Sequence, residues 1–458
     1  MSQPLLSVGG LASGMDTQSI VDKLVQLESQ PLTALQQHQS AYGSQVSALG
    51  DLASRLGALE TAATGLASGG TLALQATSTN TAFSAVPGSA ALAGSYAVQV
   101  ESLASPAKWR SGPIAPTDAL KAGSLTLSIG GVTYPPASSP ILIDGTTTLG
   151  GLAGAIRASG APVSVSVLDD GTSQYLSITT TASGYSGTDP TTALQVNFDY
   201  GATPPATGVD PGAASWHQDA INAVFYVDAL KFTRASNTVT DALPGTALTL
   251  KSAGGPAETL AIATDPAGTA TRLQTFVDAY NGIMTAVQKQ LTVDPNTDRT
   301  TTLAGDSTVR MLQQDLQALV SSQVGGLGAV RSLADLGVKT QRDGTLTLDQ
   351  STLAGAVARE PAAVNAIFAD ASSGIASLVS ARVGTYTAAT TGLLSLRQNG
   401  LQAQIRAMDD QAASMQARID AFRDGLARQF AAMEDVVSQL KSIGSFLTSQ
   451  DNAASSKS

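Results

Sequence analysis

Few side chains in this sequence could support catalysis or metal binding. The chain has two histidines, His38 and His217, and no cysteine, which excludes disulfides, cysteine-ligated zinc and thiol catalysis. A metal site needs several converging ligands, and these two histidines lie far apart in the sequence. We therefore interpret both as solvated surface residues, and we expect no bound metal and no cofactor.

Two short stretches have some features of ligand-binding loops. Residues 294–298 place oxygen side chains as a calcium loop does, but Arg299 stands where that loop needs glycine and Gly305 where it needs glutamate. Residues 9–14 are glycine-rich, yet no lysine follows and no strand precedes them, as a phosphate-binding loop requires. Because no Gly-x-Ser-x-Gly elbow occurs either, the sequence predicts a protein that is not an enzyme.

Charge and composition limit the possible partners. The 458 residues carry a formal net charge of -10, whereas a nucleic-acid-binding protein would show a basic stripe. The N-terminus lacks the basic and apolar regions of a secretory signal, and no apolar run is long enough to span a membrane. We expect no nucleic-acid partner and no membrane contact, in a protein that is cytoplasmic or exported without a cleaved signal.

The elements that must carry the function are long helices at the two ends of the chain. Near the C-terminus, residues alternate at spacings of four and three, as in the a/d seam of a coiled coil: Leu401, Ile405, Met408, Ala412, Met415, Ile419, Phe422, Leu426, Gln429, Met433, Val436, Leu440, Ile443 and Leu447. A helix over this stretch would be roughly 70 Å long. One helix cannot cover such a stripe alone, so it needs a partner.

A matching seam lies near the N-terminus. Its residues repeat every seven positions in two sets, Tyr42, Leu49, Leu56 and Ala63, then Leu52, Leu59 and Leu66. The simplest way to cover both seams is to lay the two ends of the chain together. Everything between them is then an insertion, which favours a structural protein with a helical stalk and a head.

The middle of the chain has the texture of strands. Short alternating segments rich in Thr, Ser and Val are separated by glycine turns from residue 77, and helical periodicity returns at residue 271. We predict an elongated, multidomain α+β protein whose terminal helices form a coiled-coil or helical-bundle leg with two nested β-rich head domains inserted. The predicted parts are a terminal coiled-coil domain (1–41 and 401–458), a helical leg (42–76 and 271–400), a head domain (77–106 and 217–270) and a second head domain (107–216).

Three stretches carry a family resemblance. They are residues 10–25, which begin Gly-Leu-Ala-Ser-Gly-Met-Asp; residues 223–250, with the segment Arg234-Ala235-Ser236-Asn237; and Tyr280-Asn281 with residues 305–310, Asp343-Gly344 and the C-terminal coil. Their order and spacing across nearly the whole chain resemble the flagellar filament-cap protein family, also called hook-associated protein 2.

The resemblance implies a function and a set of partners. Proteins of this family leave the cell through the flagellar type III export apparatus without a cleaved signal, after an export chaperone binds the C-terminal region. They form a ring-shaped homo-oligomer at the filament tip and hold secreted flagellin so that it folds and inserts instead of being lost to the medium. By this resemblance, we expect an extracellular cap at the distal tip of the bacterial flagellar filament.

The heptads then indicate which residues meet the polymer. We expect a coil that binds flagellin or neighbouring subunits, formed by Leu49, Leu52, Leu56, Leu59, Ile419, Phe422, Leu426, Met433 and Leu440. We assign a structural role to the residues that carry the family motifs, namely Gly10, Leu11, Ser13, Gly14, Asp16, Phe225, Val227, Asp228, Arg234 and Asn237.

Two other classes stay open on the sequence. A hook-filament junction protein shares terminal coiled helices, but the nested β insertion and the segment 234–237 speak against it. A secreted adhesin would use strands rich in Thr, Ser and Gly to bind host surface glycans, and adhesion could accompany capping. An adhesin alone would not require matched coils at both ends, so capping is the function that we predict.

Overall fold

The computed structural model describes residues 14–79, 81–201, 207–293, 299–325 and 328–455. The helices are α1 (Thr17–Glu28), α2 (Gln30–Gly69), α3 (Leu149–Ala158), α4 (Pro266–Leu291), α5 (Ser307–Val320), α6 (Gln350–Arg359), α7 (Pro361–Ala369), α8 (Ile375–Thr387) and α9 (Leu393–Ser455). The strands are β1 (Leu74–Ser78), β2 (Phe83–Pro87), β3 (Gly94–Ser102), β4 (Lys108–Arg110), β5 (Gly123–Ile129), β6 (Val132–Tyr134), β7 (Ile141–Ile143), β8 (Val163–Asp169), β9 (Gln174–Thr180), β10 (Gln195–Asp199), β11 (Trp216–Gln218), β12 (Ala223–Val227), β13 (Leu230–Arg234), β14 (Thr238–Leu243), β15 (Thr246–Leu250), β16 (Glu258–Thr264), β17 (Val338–Thr340) and β18 (Leu346–Leu348).

These elements form two compact units. The helical unit contains Met1–Ala67, Leu273–Leu353 and Ala362–Ser458, and the β unit contains Ser68–Arg272 and Ala354–Pro361. Long helices at both ends of the sequence and a strand-rich middle confirm the mixed α+β class that the sequence predicted.

Local chemistry explains where the terminal helices begin. Asp16 caps α1, because its carboxylate accepts a hydrogen bond from the backbone amide of Ser19 at 3.0 Å. Pro31 lies in the first turn of α2, where its missing N–H leaves no hydrogen bond unmade. The sequence also predicts an unordered polar tail from residue 451, but α9 continues through Ser455.

The sequence predicts a terminal coiled-coil domain and a separate helical leg. In the structure, single helices run across both predicted boundaries. The predicted boundary between residues 41 and 42 lies inside α2, and the one between residues 400 and 401 lies inside α9. The four-domain division therefore stays a prediction.

Aromatic packing and polar contacts hold the core of the helical unit together. The rings of Phe276 in α4 and Phe368 in α7 meet edge to face, with centroids 5.2 Å apart. The buried Tyr386 in α8 donates its hydroxyl to Asp315 in α5 at 2.8 Å. Asn281 in α4 both donates to and accepts from the backbone of Leu346, which fixes the β17–β18 hairpin on this helix.

In the β unit, strands β1–β3 and β12–β16 form one assembly. We call it the flanking β assembly, because its strands lie on both sides of the remaining strands in the sequence. One sheet has the order β1-β16-β3-β12-β13, and a second has the order β14-β15-β2. Their side chains share one core that includes Phe83, Val98, Phe225, Leu248 and Leu260. The chain therefore leaves this assembly after β3 and returns to it at β12.

We call the part of the chain between β3 and β12 the inserted β assembly. One sheet has the order β10-β5-β6 with β7 also pairing β5, and the other has the order β11-β4-β9-β8. Helix α3 buries Leu152 and Ile156 in the core of this assembly, and Thr148 caps it by accepting from the amide of Gly151 at 3.1 Å. The sequence predicts a loop at Trp216 and His217, but both lie in β11, because residues 216–218 pair with the distant strand β4.

Candidate functional site

Four of the predicted coil residues lie in the core of the helical unit. Leu49, Leu52, Leu56 and Leu59 on α2 are at most 1% exposed, and the same stripe continues with Ala63 and Leu66. We call these six residues the closed ridge. They are covered by other parts of the same chain, so they are not available on the surface of this protomer.

Polar contacts beside the closed ridge show which helices cover it. Arg55 donates to the carbonyl oxygen of Gly282 in α4 at 3.3 Å, and Ser380 in α8 donates to Glu60 at 2.8 Å. Gln398, near the start of α9, donates to the carbonyl oxygen of Val46 at 3.2 Å. Helix α2 therefore packs against α4, α8 and the beginning of α9.

The two ends of the sequence do lie together, as the seams predicted. Gln39 of α2 donates to Asp409 of α9, and Arg418 and Arg423 of α9 form ion pairs with Glu28 and Asp22 of α1 at 3.5 and 3.6 Å. The partners run in opposite directions along the two segments, so the pairing is antiparallel. Val21 of α1 and Ile419 of α9 are buried.

The rest of the C-terminal seam is open. Its members are half-buried or exposed, and we call them the open seam: Phe422, Leu426, Met433, Val436, Leu440, Ile443 and Leu447. Leu440 is 62% exposed, and Ile20, Leu24 and Leu27 add exposed apolar area on α1. The structure thus does not bring the closed ridge and the open seam together, and their joint role as one coil stays a prediction. An exposed apolar stripe of this length typically marks a protein-binding surface.

The residues that carry the family motifs in the β unit shape turns and strand contacts. Phe225 is buried and stacks on Phe232, with ring centroids 5.4 Å apart, and Val227 is buried beside it. Asp228 adopts a positive φ of 48° in the β12–β13 turn, and its carboxylate accepts from the amide of Ala97 at 2.8 Å. Arg234 forms an ion pair with Asp241 at 3.0 Å.

Asn237 uses its side chain as a strand would use its backbone. Its amide oxygen accepts from the backbone N–H of Ala104 at 2.7 Å, and its amide nitrogen donates to the carbonyl oxygen of Ala104 at 2.9 Å. Gly14, with a positive φ of 76°, lies two residues before Asp16, the cap of α1. Gly10, Leu11 and Ser13 lie outside the described residues.

The groups considered for chemistry are dispersed. His38 and His217 are both exposed, on α2 and β11 respectively, and residues 294–298 lie outside the described part of the chain. Among the residues that the structure describes, no group of three or more His, Cys, Asp or Glu side chains could hold a metal ion. The helices in that part of the chain are also all too short or too polar to cross a membrane.

Sequence reasoning missed a surface of the inserted β assembly. Trp216 is 47% exposed and pairs across the sheet with Arg110, whose guanidinium lies 5.1 Å from the centroid of the Tyr175 ring. Lys108 stands two residues from Arg110 on the same face of β4. Since these residues meet only through pairing of distant strands, no local pattern could have indicated them.

The fold and these surfaces define a class of protein. An antiparallel helical pair with an open apolar seam, joined in sequence to a β-rich insertion, is suited to binding other protein chains. The class is a structural, assembly-forming protein.

Comparison with known proteins narrows this class. The family described as flagellar hook-associated protein 2 N-terminus matches residues 13–107, and the one described as its C-terminus matches residues 220–442. The B-type flagellar hook-associated protein 2 of Pseudomonas aeruginosa PAO1 is 31% identical, over 93% of this chain and 95% of its own length. Flagellar hook-associated protein 2 of Escherichia coli K12 is 29% identical over 98% of both chains.

A solved structure agrees. The crystal structure of the D1-D2-D3 domains of the flagellar cap protein FliD from Escherichia coli matches with a TM-score of 0.60 and 26% identity, covering 78% of this chain and 100% of that chain. This chain belongs to the flagellar hook-associated protein 2 family. The two matched stretches lie on either side of the inserted β assembly.

Proposed function

We propose that this chain is the structural cap at the distal tip of the bacterial flagellar filament. In this role it forms a ring-shaped homo-oligomer, holds exported flagellin while it folds and inserts, and prevents its loss to the medium. Family membership, shown by the two matched stretches and by relatives aligned over nearly the whole chain, supports the proposal. The open seam is the observation that carries it. A cap that moves as the filament grows needs a surface that can bind one subunit after another.

The chemistry of the open seam suits repeated binding. Met433 is unbranched and flexible, and Gln429 interrupts the apolar stripe with a polar side chain. Such a surface can repack against successive flagellin helices, because flexible side chains tolerate changes of register. We assign the flagellin contact to Phe422, Leu426, Met433 and Leu440. Leu49, Leu52, Leu56 and Leu59 act on it indirectly, by holding α2 in place.

Helix α1 is attached in a way that permits rearrangement. Its ion pairs with Arg418 and Arg423 are exposed to solvent, and such pairs contribute about 0–1 kcal/mol each. Its apolar anchor includes Val21 and Ile419, while Ile20, Leu24 and Leu27 remain exposed. We propose that α1 shifts along α9 as each flagellin subunit passes.

The remaining partners follow from the family. We propose export through the flagellar type III apparatus without a cleaved signal, which places the working protein outside the cell. An export chaperone would cover the exposed seam of α9 before secretion, since an apolar stripe of this kind would otherwise associate nonspecifically.

The test uses a strain that lacks this protein and compares free flagellin in its medium with and without added purified protein. We expect few filaments and much free flagellin, and filaments restored by the added protein. The variant Leu426→Asp with Met433→Asp should stay folded and fail to restore them. Ser438→Asp with Ser442→Asp is the matched control, because these exposed serines lie on the opposite face of α9. Normal filaments without the protein, or full restoration by the seam variant, would contradict the proposal.

The exposed sheet face around Trp216 favours a second function, adhesion to acidic host surface glycans. Aromatic rings can stack on sugars, and Lys108 and Arg110 supply positive charge without forming an ion pair within the described residues. We expect the purified protein to bind an immobilised acidic glycan, and Trp216→Ala to weaken that binding. The control Val132→Ala changes an exposed residue on the other sheet of the same assembly. Equal binding by both variants would remove adhesion from the proposal.

A further inference from the structure

The two β assemblies of the β unit are joined by two crossings of the chain. One crossing follows β3 and the other precedes β12, and they pair with each other through reciprocal hydrogen bonds between Ser105 and Ile221 at 2.8 and 3.1 Å. Two paired strands that connect two bodies form a ribbon, about which the bodies can bend. By itself this connection would be a hinge.

A third contact, which reaches a segment outside the two crossings, adds to this connection. The loop after β9 in the inserted assembly reaches the segment between β13 and β14 in the flanking assembly, where Ser183 donates to the carbonyl oxygen of Ala235 at 3.0 Å. In the same loop, the amide of Tyr185 donates to the side chain of Asn222 at 2.7 Å. A contact to a segment outside the two crossings would restrain the bending that a two-strand ribbon alone permits.

The packing at this attachment leaves no spare room. Gly184 has a positive φ of 65°, and a Cβ atom built there would lie 2.4 Å from the carbonyl oxygen of Ala235 and 2.6 Å from the side-chain oxygen of Asn222. The amide of Gly184 also donates to the carbonyl oxygen of Ser105 at 3.0 Å, so the loop contacts the ribbon as well. Only glycine fits both the backbone conformation and the space.

Asn237 also contacts the ribbon. Its paired hydrogen bonds to Ala104 hold the first crossing against the same segment that receives the loop. We propose that loop 183–185 and segment 235–237 form a lock, which turns a two-strand hinge into a fixed joint so that the two β assemblies move as one body. Asn222, Asn237 and Gly184 are its positioning residues, and the lock gives segment 234–237 a mechanical role that does not depend on capping.

The experiment measures one distance across the joint in the full-length chain. Because the chain contains no cysteine, Ser166→Cys and Ala253→Cys provide unique sites for two spin labels, one on β8 and one in the flanking assembly. Both positions are exposed. We expect a single narrow distance distribution in the otherwise unchanged protein.

Asn237→Ala should broaden this distribution or add a second peak, because both bonds to Ala104 are lost. Gly184→Ala should do the same, because the added Cβ atom would push the loop away from Ala235 and Asn222. Ser183→Ala, which removes one hydrogen bond and is the mildest change, should broaden the distribution least. Asn197→Ala is the matched control, since it removes the same amide from an exposed position on β10. Circular dichroism confirms that each variant is folded. Narrow distributions in Asn237→Ala and Ser183→Ala alike would overturn the proposal, as would equal broadening in the control.

Discussion

The closed ridge of α2 and the open seam of α9 show the same heptad pattern and have opposite surroundings. Leu52 is fully buried, whereas Leu440 is 62% exposed, although both occupy seam positions of a long helix. The ridge is covered because α4, α8 and the start of α9 fold over it. The comparison teaches that a heptad repeat indicates a need for a partner, but not whether the partner belongs to the same chain.

The largest contrast that we expect is in stability. Leu52→Ala leaves a cavity in the core and should cost about 2–5 kcal/mol of unfolding free energy. Leu440→Ala, the matched change in the open seam, should alter it by less than about 0.5 kcal/mol. Denaturant unfolding of both variants measures the difference. Similar losses would mean that the open seam is also covered within the protomer.

Acid should destabilise the helical unit through Asp370, which directly follows α7. The backbone amide of Ser373, followed by the hydroxyls of Ser372 and Ser373, lowers the pKa of this carboxyl from its ordinary 3.8 to about 2. A lowered pKa means that the folded state favours the ionised form. Its stabilising contribution is therefore present above pH 3.8 and is lost as the pH falls towards 2.

The variant Asp370→Asn isolates this effect, because it keeps an acceptor oxygen and removes the titration. We expect thermal unfolding midpoints of the unchanged protein to fall more steeply than those of the variant between about pH 4 and 2. Parallel curves for the two proteins would show that Asp370 has the same pKa in the folded and unfolded chain.

The smallest effect should come from the ion pairs that border the open seam. Exchanging the charges with Asp22→Arg and Arg423→Asp should change stability by at most about 1 kcal/mol, and the difference should shrink in high salt. A double-mutant cycle measures the coupling between the two side chains. A coupling of several kcal/mol would mean that α1 is fixed firmly on α9, contrary to the movement that we propose.

Much of the fold could be predicted from local patterns. Short alternating segments indicated the strands in the middle of the chain, and heptads indicated α2 and α9. The covering of the ridge could not be predicted, because it depends on contacts such as Ser380 with Glu60 between residues far apart in sequence. The paired hydrogen bonds between Asn237 and Ala104 could not be predicted either, since an asparagine between two strands usually indicates only a turn.

Of the two candidate surfaces, one could be predicted from the sequence and the other could not. The open seam is a periodic stripe, and the spacing of its apolar residues along the sequence is enough to indicate it. The sheet face at Trp216 required the pairing of β11 with β4, which no local pattern shows. Burial decides which part of the seam is free to meet another protein, and burial is a property of the whole fold.

Site-specific crosslinking tests the central claim most directly. A photo-crosslinker attached to Leu440→Cys, in a protein without other cysteines, is compared with one on Ser438→Cys during filament growth in the deletion strain. Both sites are exposed on α9 and face roughly opposite directions. We predict flagellin adducts from position 440 and few from position 438. Equal yields at both positions, or no adduct from position 440 in filaments that still grow, would contradict the account.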